Sequence, residues 1–391
     1  MKVLFITGAD KYGGSFTMSK QLLESVKRFN NSMEYITITQ EFGPLNEWCN
    51  VNDIENYVFP YRYCVYHPLK NKFLNALKHF IKYFMITVLN RIALYRISKM
   101  GILKDVDIIH TNINRDLFGM MISKKYNIPN ITHLREFSKA HFGLELIYRN
   151  QIDVMNKYSY KFIAISNVVK ADWINYGLHE DKIEVIYDGL DVNKYKVTHE
   201  MRKEDAPLKI VMCGTIYEGK GQKELVEAVT LLLQEGLNII VDIYGNVVRE
   251  SYFSEMKKYI CSQGVQSQIR FLGYKDNLNE LLSNYDVGVV CSKAEGLGLV
   301  TVEYMLSGLV VIASDTGANP ELLHEEELGY LYTFGNIESL KSAINYVYKN
   351  SKEGRIKAEK AIKNAKSEFL IENTIESTRD VYLTAAVQYG E

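Results

Sequence analysis

Two glutamates eight residues apart, Glu295 and Glu303, follow a short apolar run in the C-terminal half of the chain. Gly296 and Gly298 lie between them, and a helical pattern begins directly afterwards. A glycine turn that leads into a helix presents free backbone N–H groups and the positive end of the helix dipole, which suit a phosphate. Carboxylates bind phosphates poorly but accept hydrogen bonds from sugar hydroxyls. The spacing therefore favours a diphosphate that joins two sugars, and the alternative is two unrelated glutamates.

A second loop, residues 214–221, also lies between an apolar run and a helical pattern. It nearly matches the phosphate-binding pattern GxxxxGK[ST], with Lys220 at the lysine position, but Gly221 replaces the hydroxyl residue that holds magnesium. We interpret it as a loop that presents a lysine to an anion without a metal. Asp105 and Asp107 have the letters of a metal-binding pair, but they precede a strand, whereas ligands bind at the carboxyl ends of strands. No metal site is predicted.

Parallel sheets are needed to position these loops, and the apolar runs predict one sheet in each half of the chain. Runs rich in valine and isoleucine alternate with helical patterns at residues 3–7, 108–110, 163–166, 183–186, 210–213, 239–244, 287–291 and 310–313. Strands of this kind are buried on both faces, as in parallel sheets covered by helices. The charged segment 197–207 interrupts the alternation and is interpreted as a linker. We predict an α/β protein with two doubly wound domains and a ligand site in the cleft between them.

The composition is that of an ordinary globular chain. It has 391 residues, of which 47% are hydrophobic, and a net charge of -1. This length fits two domains, and the balanced charge gives no sign of a nucleic acid partner. Five scattered cysteines argue against a disulfide framework or a zinc site. The apolar run at the N-terminus is too short for a signal peptide, so we expect a cytoplasmic protein.

The charge is divided unevenly along the chain. Residues 1–200 hold 26 basic and 20 acidic side chains, and the remainder holds 20 and 27. No acidic residue occurs from Asn56 to Lys104, where nine are basic. Within this stretch, residues 69–100 form a helical pattern of basic and aromatic side chains, too short in its apolar runs to span a bilayer. Such a helix either lies on an anionic membrane surface or packs on the core with its charges in water.

The segment 292–321 closely resembles the signature of family 4 glycosyltransferases, which are retaining enzymes of the GT-B fold. The loop around Lys220, the stretch 185–191 and the pair Gly13-Gly14 also match, and the resemblance extends over essentially the whole chain. It implies two Rossmann-like domains. The implied parts are an acceptor domain at 1–196, a linker at 197–207, a nucleotide-sugar domain at 208–375 and a last helix at 376–391 that returns to the first domain.

The resemblance also implies a role for each residue of the C-terminal motifs. Glu303 would bind the donor ribose, and Glu295 would accept hydrogen bonds from hydroxyls of the donor sugar. The Lys220 ammonium would hold the diphosphate that leaves. The diphosphate would also contact the backbone amides of Leu297, Gly298 and Leu299.

Further residues are implied around this centre. Gly13 and Gly14 would allow the backbone to approach the phosphates and the acceptor, and His133 matches the family's active-site histidine. The aromatic rings of Tyr244 and Tyr274 are candidates for contact with the nucleotide base.

One position departs from the family. Members usually carry an arginine five residues before the lysine, where Thr215 stands in this sequence. Loss of one cation should weaken stabilisation of the leaving diphosphate. We expect Arg135, two residues after His133, to compensate.

The function implied is transfer of a sugar from a UDP- or GDP-linked donor to an acceptor, with retention of configuration and without a metal or other cofactor. The basic helix suggests a lipid-linked sugar in cell-surface polysaccharide synthesis as the acceptor. A soluble or protein acceptor remains open. The alternatives to a transferase are a nucleotide-sugar epimerase of the same fold and a non-catalytic nucleotide-sugar sensor.

Overall fold

The computed structural model describes residues 1–8, 14–28, 33–138, 143–197, 202 and 205–389. The chain divides into two compact units, an N-terminal unit of residues 1–188 and 372–391 and a C-terminal unit of residues 189–371. The predicted boundaries lay at 196 and 375. The first boundary falls earlier because Leu190 pairs with Leu370 and its N–H donates to the carbonyl of Phe369, which attaches this segment to the C-terminal unit.

The N-terminal unit is built on a seven-stranded parallel sheet in the order β3-β2-β1-β5-β6-β8-β9. Its strands are β1 (Lys2–Ile6), β2 (Glu34–Thr39), β3 (Glu55–Val58), β5 (Ile108–Thr111), β6 (Asn130–Leu134), β8 (Lys161–Ala164) and β9 (Ile183–Val185). The short strands β4 (Val65–Tyr66) and β7 (Glu145–Leu146) form a separate antiparallel pair. Every residue of β1 from Val3 to Ile6 is fully buried, as expected for a strand covered on both faces.

Helices cover this sheet. They are α1 (Gly14–Arg28), α2 (Pro44–Val51), α3 (Lys72–Lys99), α4 (Phe118–Tyr126), α5 (Gln151–Tyr158) and α6 (Asn167–Asn175). Helix α3 begins where the Asn71 side chain accepts a hydrogen bond from the N–H of Leu74. Among the described residues, no helix combines the length and the apolar character that crossing a bilayer requires.

The C-terminal unit contains a six-stranded parallel sheet in the order β12-β11-β10-β13-β14-β15. Its strands are β10 (Leu208–Cys213), β11 (Ile239–Tyr244), β12 (Ile269–Gly273), β13 (Val287–Val290), β14 (Val310–Ser314) and β15 (Tyr330–Tyr332). Its helices are α7 (Gln222–Gln234), α8 (Glu250–Ser262), α9 (Leu278–Leu281), α10 (Leu299–Leu306), α11 (Asn319–Leu322), α12 (Ile337–Lys349) and α13 (Ser351–Glu368). Each predicted apolar run overlaps a strand, and the prediction of two parallel-sheet domains is confirmed.

The last helix, α14 (Ile371–Gln388), follows the C-terminal unit in sequence but packs in the N-terminal unit. Its Tyr382 is fully buried, and the Tyr382 hydroxyl lies 2.5 Å from Nδ1 of His110 on β5. The Thr374 hydroxyl donates to the carbonyl oxygen of Tyr187. These contacts make α14 part of the N-terminal core.

Candidate active site

Lys220 and Glu295 are brought together by loops that follow neighbouring strands of the C-terminal sheet. The Lys220 loop follows β10, the Glu295 loop follows β13, and these strands pair directly. Lys220 Nζ lies 2.5 Å from Oε1 of Glu295, and the N–H of Lys293 donates to the carbonyl of Gly219. Burial lowers the pKa of Lys220, but the charge and the hydrogen bond of Glu295 outweigh it, so the pKa lies above its ordinary value. The site therefore holds a charged ammonium beside a carboxylate.

The Glu295 side chain and backbone are both fixed. The Ser292 hydroxyl donates to the same oxygen, Oε1, at 2.5 Å. The Glu295 carbonyl accepts from the N–H of Ala318, and Gly317 packs so closely that a Cβ there would lie 2.5 Å from backbone atoms of Glu295. The glycine is required because its φ of +61° also lies in the left-handed region. The turn after β14 thus fixes the backbone of Glu295, and the Ser292 hydroxyl and the Lys220 ammonium contact its carboxylate.

Helix α10 begins beside this pair. Gly298 has a φ of +83°, and the helix starts at the next residue, Leu299. The first amides of a helix have no partner within it and carry its positive dipole end. The side chain of Leu297 is buried at the turn. The turn at residues 297–299 thus leads directly into the start of α10, and its contact with an anion stays a prediction.

Glu303 lies one helical turn further along α10, and its neighbour Tyr195 was not predicted. The Tyr195 hydroxyl donates to Oε1 of Glu303 at 3.2 Å. Burial raises the pKa of Glu303 to about 7, and the hydrogen bond from Tyr195 opposes this rise. A lone tyrosine gives no signal in sequence, although it lies only four residues after the matched stretch 185–191.

The remaining predicted residues of this unit differ in their surroundings. Thr215 is exposed, and its carbonyl accepts a hydrogen bond from Gln222. Tyr244 is buried, and its hydroxyl lies 2.9 Å from that of Tyr285 within the fold, which leaves little of its ring for a base. Tyr274 is 45% exposed and so accessible to a ligand.

A second polar cluster lies in the N-terminal unit, after β5 and β6. Arg135 donates from Nε to Asn112 Oδ1 at 2.8 Å and from Nη1 to Asp188 Oδ2 at 2.6 Å. Its guanidinium is therefore buried against a matching charge, and compensation for Thr215 stays a prediction. Asn112, the first residue after β5, was missed; it also donates to the Ser19 hydroxyl. A polar residue directly after a buried strand was the available signal.

His133 lies on β6 within this cluster and is fully buried. Burial, followed by the nearby charge of Arg135, holds its pKa well below the usual range, so the ring is neutral. Gly14 is the first residue of α1, and Gly13 lies outside the described residues.

Asp105 and Asp107 are placed as the sequence suggested, ahead of β5. The Asp107 carboxylate accepts a hydrogen bond from the N–H of Lys2 at 2.7 Å. In the part of the chain that the structure describes, no group of three or more histidine, cysteine or acidic side chains is arranged to hold a metal ion.

Sequence comparison matches the two halves of the chain to two family descriptions. Residues 196–368 match "Glycosyl transferases group 1", and residues 60–194 match "Glycosyltransferase Family 4". One relative is the UDP-Gal:alpha-D-GlcNAc-diphosphoundecaprenol alpha-1,3-galactosyltransferase of Escherichia coli, 24% identical over 76% of this chain and 79% of that protein. Another is the capsular polysaccharide biosynthesis glycosyltransferase CapH of Staphylococcus aureus, 24% identical over 56% of this chain. The chain spans 62% of CapH and 49% of EpsD of Bacillus subtilis.

Solved structures show the same fold. Anabaena Alr3699/HepE in complex with UDP is similar with a TM-score of 0.79 and 20% identity, over 98% of this chain and all of that one. A glycosyltransferase from Rickettsia africae has a TM-score of 0.80 at 19% identity, over 98% of each chain. Together, the two family matches and the paired parallel-sheet units show that the chain belongs to the family 4 (group 1) glycosyltransferases of the GT-B fold.

Proposed function

We propose that this protein is a retaining, metal-independent glycosyltransferase that moves a sugar from a UDP- or GDP-linked donor to a lipid-linked sugar in polysaccharide synthesis. The observation that carries the proposal is the Lys220–Glu295 pair beside the start of α10, with Glu303 on the same helix. One cation, one helix N-terminus and two carboxylates at this spacing suit a diphosphate with a sugar on each side.

In the proposed reaction, each group acts where charge changes. As the bond between the sugar and the diphosphate breaks, negative charge grows on the phosphate oxygens, and Lys220 and the amides of residues 297–299 stabilise it. These groups can supply the positive charge that a metal ion supplies in other transferases. Glu295 accepts hydrogen bonds from the donor sugar, and Glu303 does so from the ribose. The departing phosphate takes the acceptor proton, so no protein nucleophile is used.

Binding of the donor can be tested by thermal shift with UDP-, GDP- and ADP-sugars. We expect a UDP- or GDP-sugar to raise the melting temperature of the wild type, because a ligand that binds only the folded state stabilises it. The shift should be reduced in Glu303→Gln and unchanged in Glu359→Gln, a matched change at an exposed glutamate of the same unit. A panel without any shift would refute the proposed donor class.

The reaction type is tested with the donor that gives the shift. A transferase forms a new glycoside only when acceptor is present, and NMR of the product should show the anomeric configuration of the donor. An epimerase would release a free epimer from donor alone, and a sensor would leave the donor unchanged. Thr215 in place of the usual arginine is the feature that most favours a sensor.

The surface of α3 supports a lipid-linked acceptor. One face of the helix is buried, with Ala93 and Ile97 in the core of the N-terminal unit. The other face exposes large apolar side chains, including Phe73, Phe80 and Phe84 at 77%, 68% and 64%. The interpretation of α3 as a helix with only its charges in water does not account for these phenylalanines.

Helix α3 carries six basic side chains and no acidic one. Among the described residues, none of the lysines and arginines of α3 forms an ion pair with an acidic side chain, so their charge is available to anionic lipid headgroups. The acceptor named for the Escherichia coli relative, a diphosphoundecaprenol-linked sugar, is of the same chemical class. We therefore propose that the enzyme works at the cytoplasmic surface of a membrane.

Liposome flotation tests membrane contact. We expect the wild type to float with vesicles that contain phosphatidylglycerol and to be released by high salt, because the attraction is partly electrostatic. The double variant Phe80→Ser/Phe84→Ser should stay at the bottom of the gradient. Phe42→Ser is the control, since Phe42 is 60% exposed in the same unit but lies outside α3. If the wild type does not float at low salt, the proposal of membrane contact is wrong. The proposal of donor binding is unaffected by this result.

A further inference from the structure

Tyr195 contacts the carboxylate at which the donor ribose is proposed to bind, although no motif includes this tyrosine. It follows a single helical turn, Val192–Lys194, which the Asp191 side chain begins by accepting from the N–H of Asn193. Its hydroxyl reaches Oε1 of Glu303 on α10, in the same unit. The contact therefore joins an irregular segment to a residue of the candidate site.

The segment that carries Tyr195 is held on both sides. Upstream, the N–H of Leu190 donates to the carbonyl of Phe369, and the N–H of Ile371 donates to the carbonyl of Leu190. Directly before the tyrosine, the carbonyl of Lys194 accepts from the side chain of Asn279 at 2.7 Å. With its backbone fixed in this way, the hydroxyl has a defined position relative to α10.

We propose that Tyr195 is a positioning residue for donor binding: its hydroxyl orients the Glu303 carboxylate toward the ribose and stabilises the charged form of that carboxylate. The proposal rests on the proposed function, because it takes Glu303 as the group that accepts hydrogen bonds from the ribose. A carboxylate offers about four lone-pair positions, so one bond from tyrosine leaves room for both ribose hydroxyls. A protonated carboxyl would instead carry a hydrogen that competes with them.

The groups around Glu303 explain why the Tyr195 hydroxyl affects the ionisation of this carboxylate. Burial raises the pKa of Glu303 to about 7, and the hydrogen bond from Tyr195 lowers it. The thiol of Cys213 and the hydroxyl of Tyr304 also face this carboxylate, but burial raises the pKa of both, so neither is charged near pH 7. Asp191, beside Tyr195, adds a second negative charge to the surroundings. Within the described part of the chain, Tyr195 is thus the neighbour of this carboxylate that favours its ionisation.

The test compares Tyr195→Phe with the wild type in binding UDP and GDP between pH 6 and pH 9, by calorimetry. Each nucleotide is paired with its 2′,3′-dideoxy analogue, because the phosphates titrate alike in both and the ratio of affinities isolates the ribose hydroxyls. In the wild type, this ratio should rise as the pH passes through about 7, where Glu303 ionises. In Tyr195→Phe, the rise should move to higher pH, with a ratio about tenfold lower at pH 7.

Two controls separate this role from a structural one. Tyr346→Phe removes another hydroxyl bonded to a carboxylate of the same unit, that of Glu353, and should leave the curve unchanged. In a Glu303→Gln background, Tyr195→Phe should add no pH dependence to the ratio, because an amide does not titrate. Circular dichroism checks that each variant is folded, and carboxyl NMR of the wild type follows Glu303 directly.

A failure of the positioning role can be distinguished from a failure of the proposed function. A loss in Tyr195→Phe that is equal at every pH, or equal for the dideoxy analogue, would show that the tyrosine is only structural. A wild type that binds neither UDP nor GDP contradicts the proposed function, and the positioning role fails with it. A wild type that binds one of them without preference over the dideoxy form would show that Glu303 does not contact the ribose.

Discussion

Replacement of Gly317 by alanine should disable the candidate site by displacing Glu295. Gly317 lies in the turn after β14, with a φ of +61°, and an added Cβ would lie 2.5 Å from both the backbone nitrogen and oxygen of Glu295. Ordinary contact begins near 3.4 Å, so the two loops must separate by about 0.9 Å. Because the obstacle is backbone, no side-chain rotation can relieve it, and Glu295 must move.

The cost has two parts. An alanine in the left-handed region costs about 1 kcal/mol, and overpacking against backbone adds about 1–3 kcal/mol. We therefore expect Gly317→Ala to lower the free energy of unfolding by about 2–4 kcal/mol. Displacement of a group at the reacting centre by about 1 Å can reduce turnover by about 100-fold. Glu295 is displaced by nearly this amount, so turnover should fall on that scale.

Gly335→Ala is the matched control. Gly335 is in the same unit with a φ of +76°, but an added Cβ would meet no atom within 4 Å. It should therefore cost only the backbone strain of about 1 kcal/mol. Urea denaturation gives both unfolding free energies, and turnover is measured with the donor that stabilises the wild type. Equal losses of turnover in the two variants would refute the argument that Gly317 positions Glu295.

Three further results are expected. Lys220→Met should reduce turnover by about 100-fold or more, because the growing phosphate charge loses a preorganised cation. Lys223→Met, on the exposed side of α7, should leave turnover near that of the wild type. Equal rates in the two variants would count against the role of Lys220. The raised pKa of Glu303 favours folding below pH 4.5, and this contribution to stability is lost as the pH rises through about 7. Glu303→Gln should therefore stabilise the protein by about 2 kcal/mol at pH 8 and by less at pH 5. Thermal unfolding at the two pH values measures the difference. Tyr382→Phe should lower the free energy of unfolding by about 1 kcal/mol in urea, because it removes the bond to buried His110, and an unchanged midpoint would contradict this.

The strands and both site loops could be predicted because their signals are local. Residues 287–290 and 210–213 are continuous apolar runs, and the glycines that follow them mark turns at the carboxyl ends of β13 and β10. The parallel sheet then brings Lys220 and Glu295 together, because strands β10 and β13 are neighbours. The motifs after these strands were enough to name both residues as parts of one candidate site, whereas the direct contact between them was not predicted.

Contacts between distant segments could not be predicted in this way. Tyr195 meets Glu303 across 108 positions, and Arg135 meets Asp188 across 53, without any periodic pattern to connect them. Tyr244 was named as a candidate for contact with the base, and its residue type does not reveal that its hydroxyl lies beside that of Tyr285. For α3, apolar residues surround most of the helix, so only packing reveals which of them stay exposed.

The place of α14 in the fold also governs how the protein matures on the ribosome. The C-terminal unit is continuous in sequence. The core of the N-terminal unit, in contrast, is complete only when residues 372–389 have been synthesised, because they contribute Tyr382 and Ala385. At about 5–20 residues per second, the interval between residues 188 and 372 is about 10–40 s. During this time the first sheet is made but its docking surface for α14 is open to chaperones and to neighbouring chains. The unit synthesised first is thus completed last.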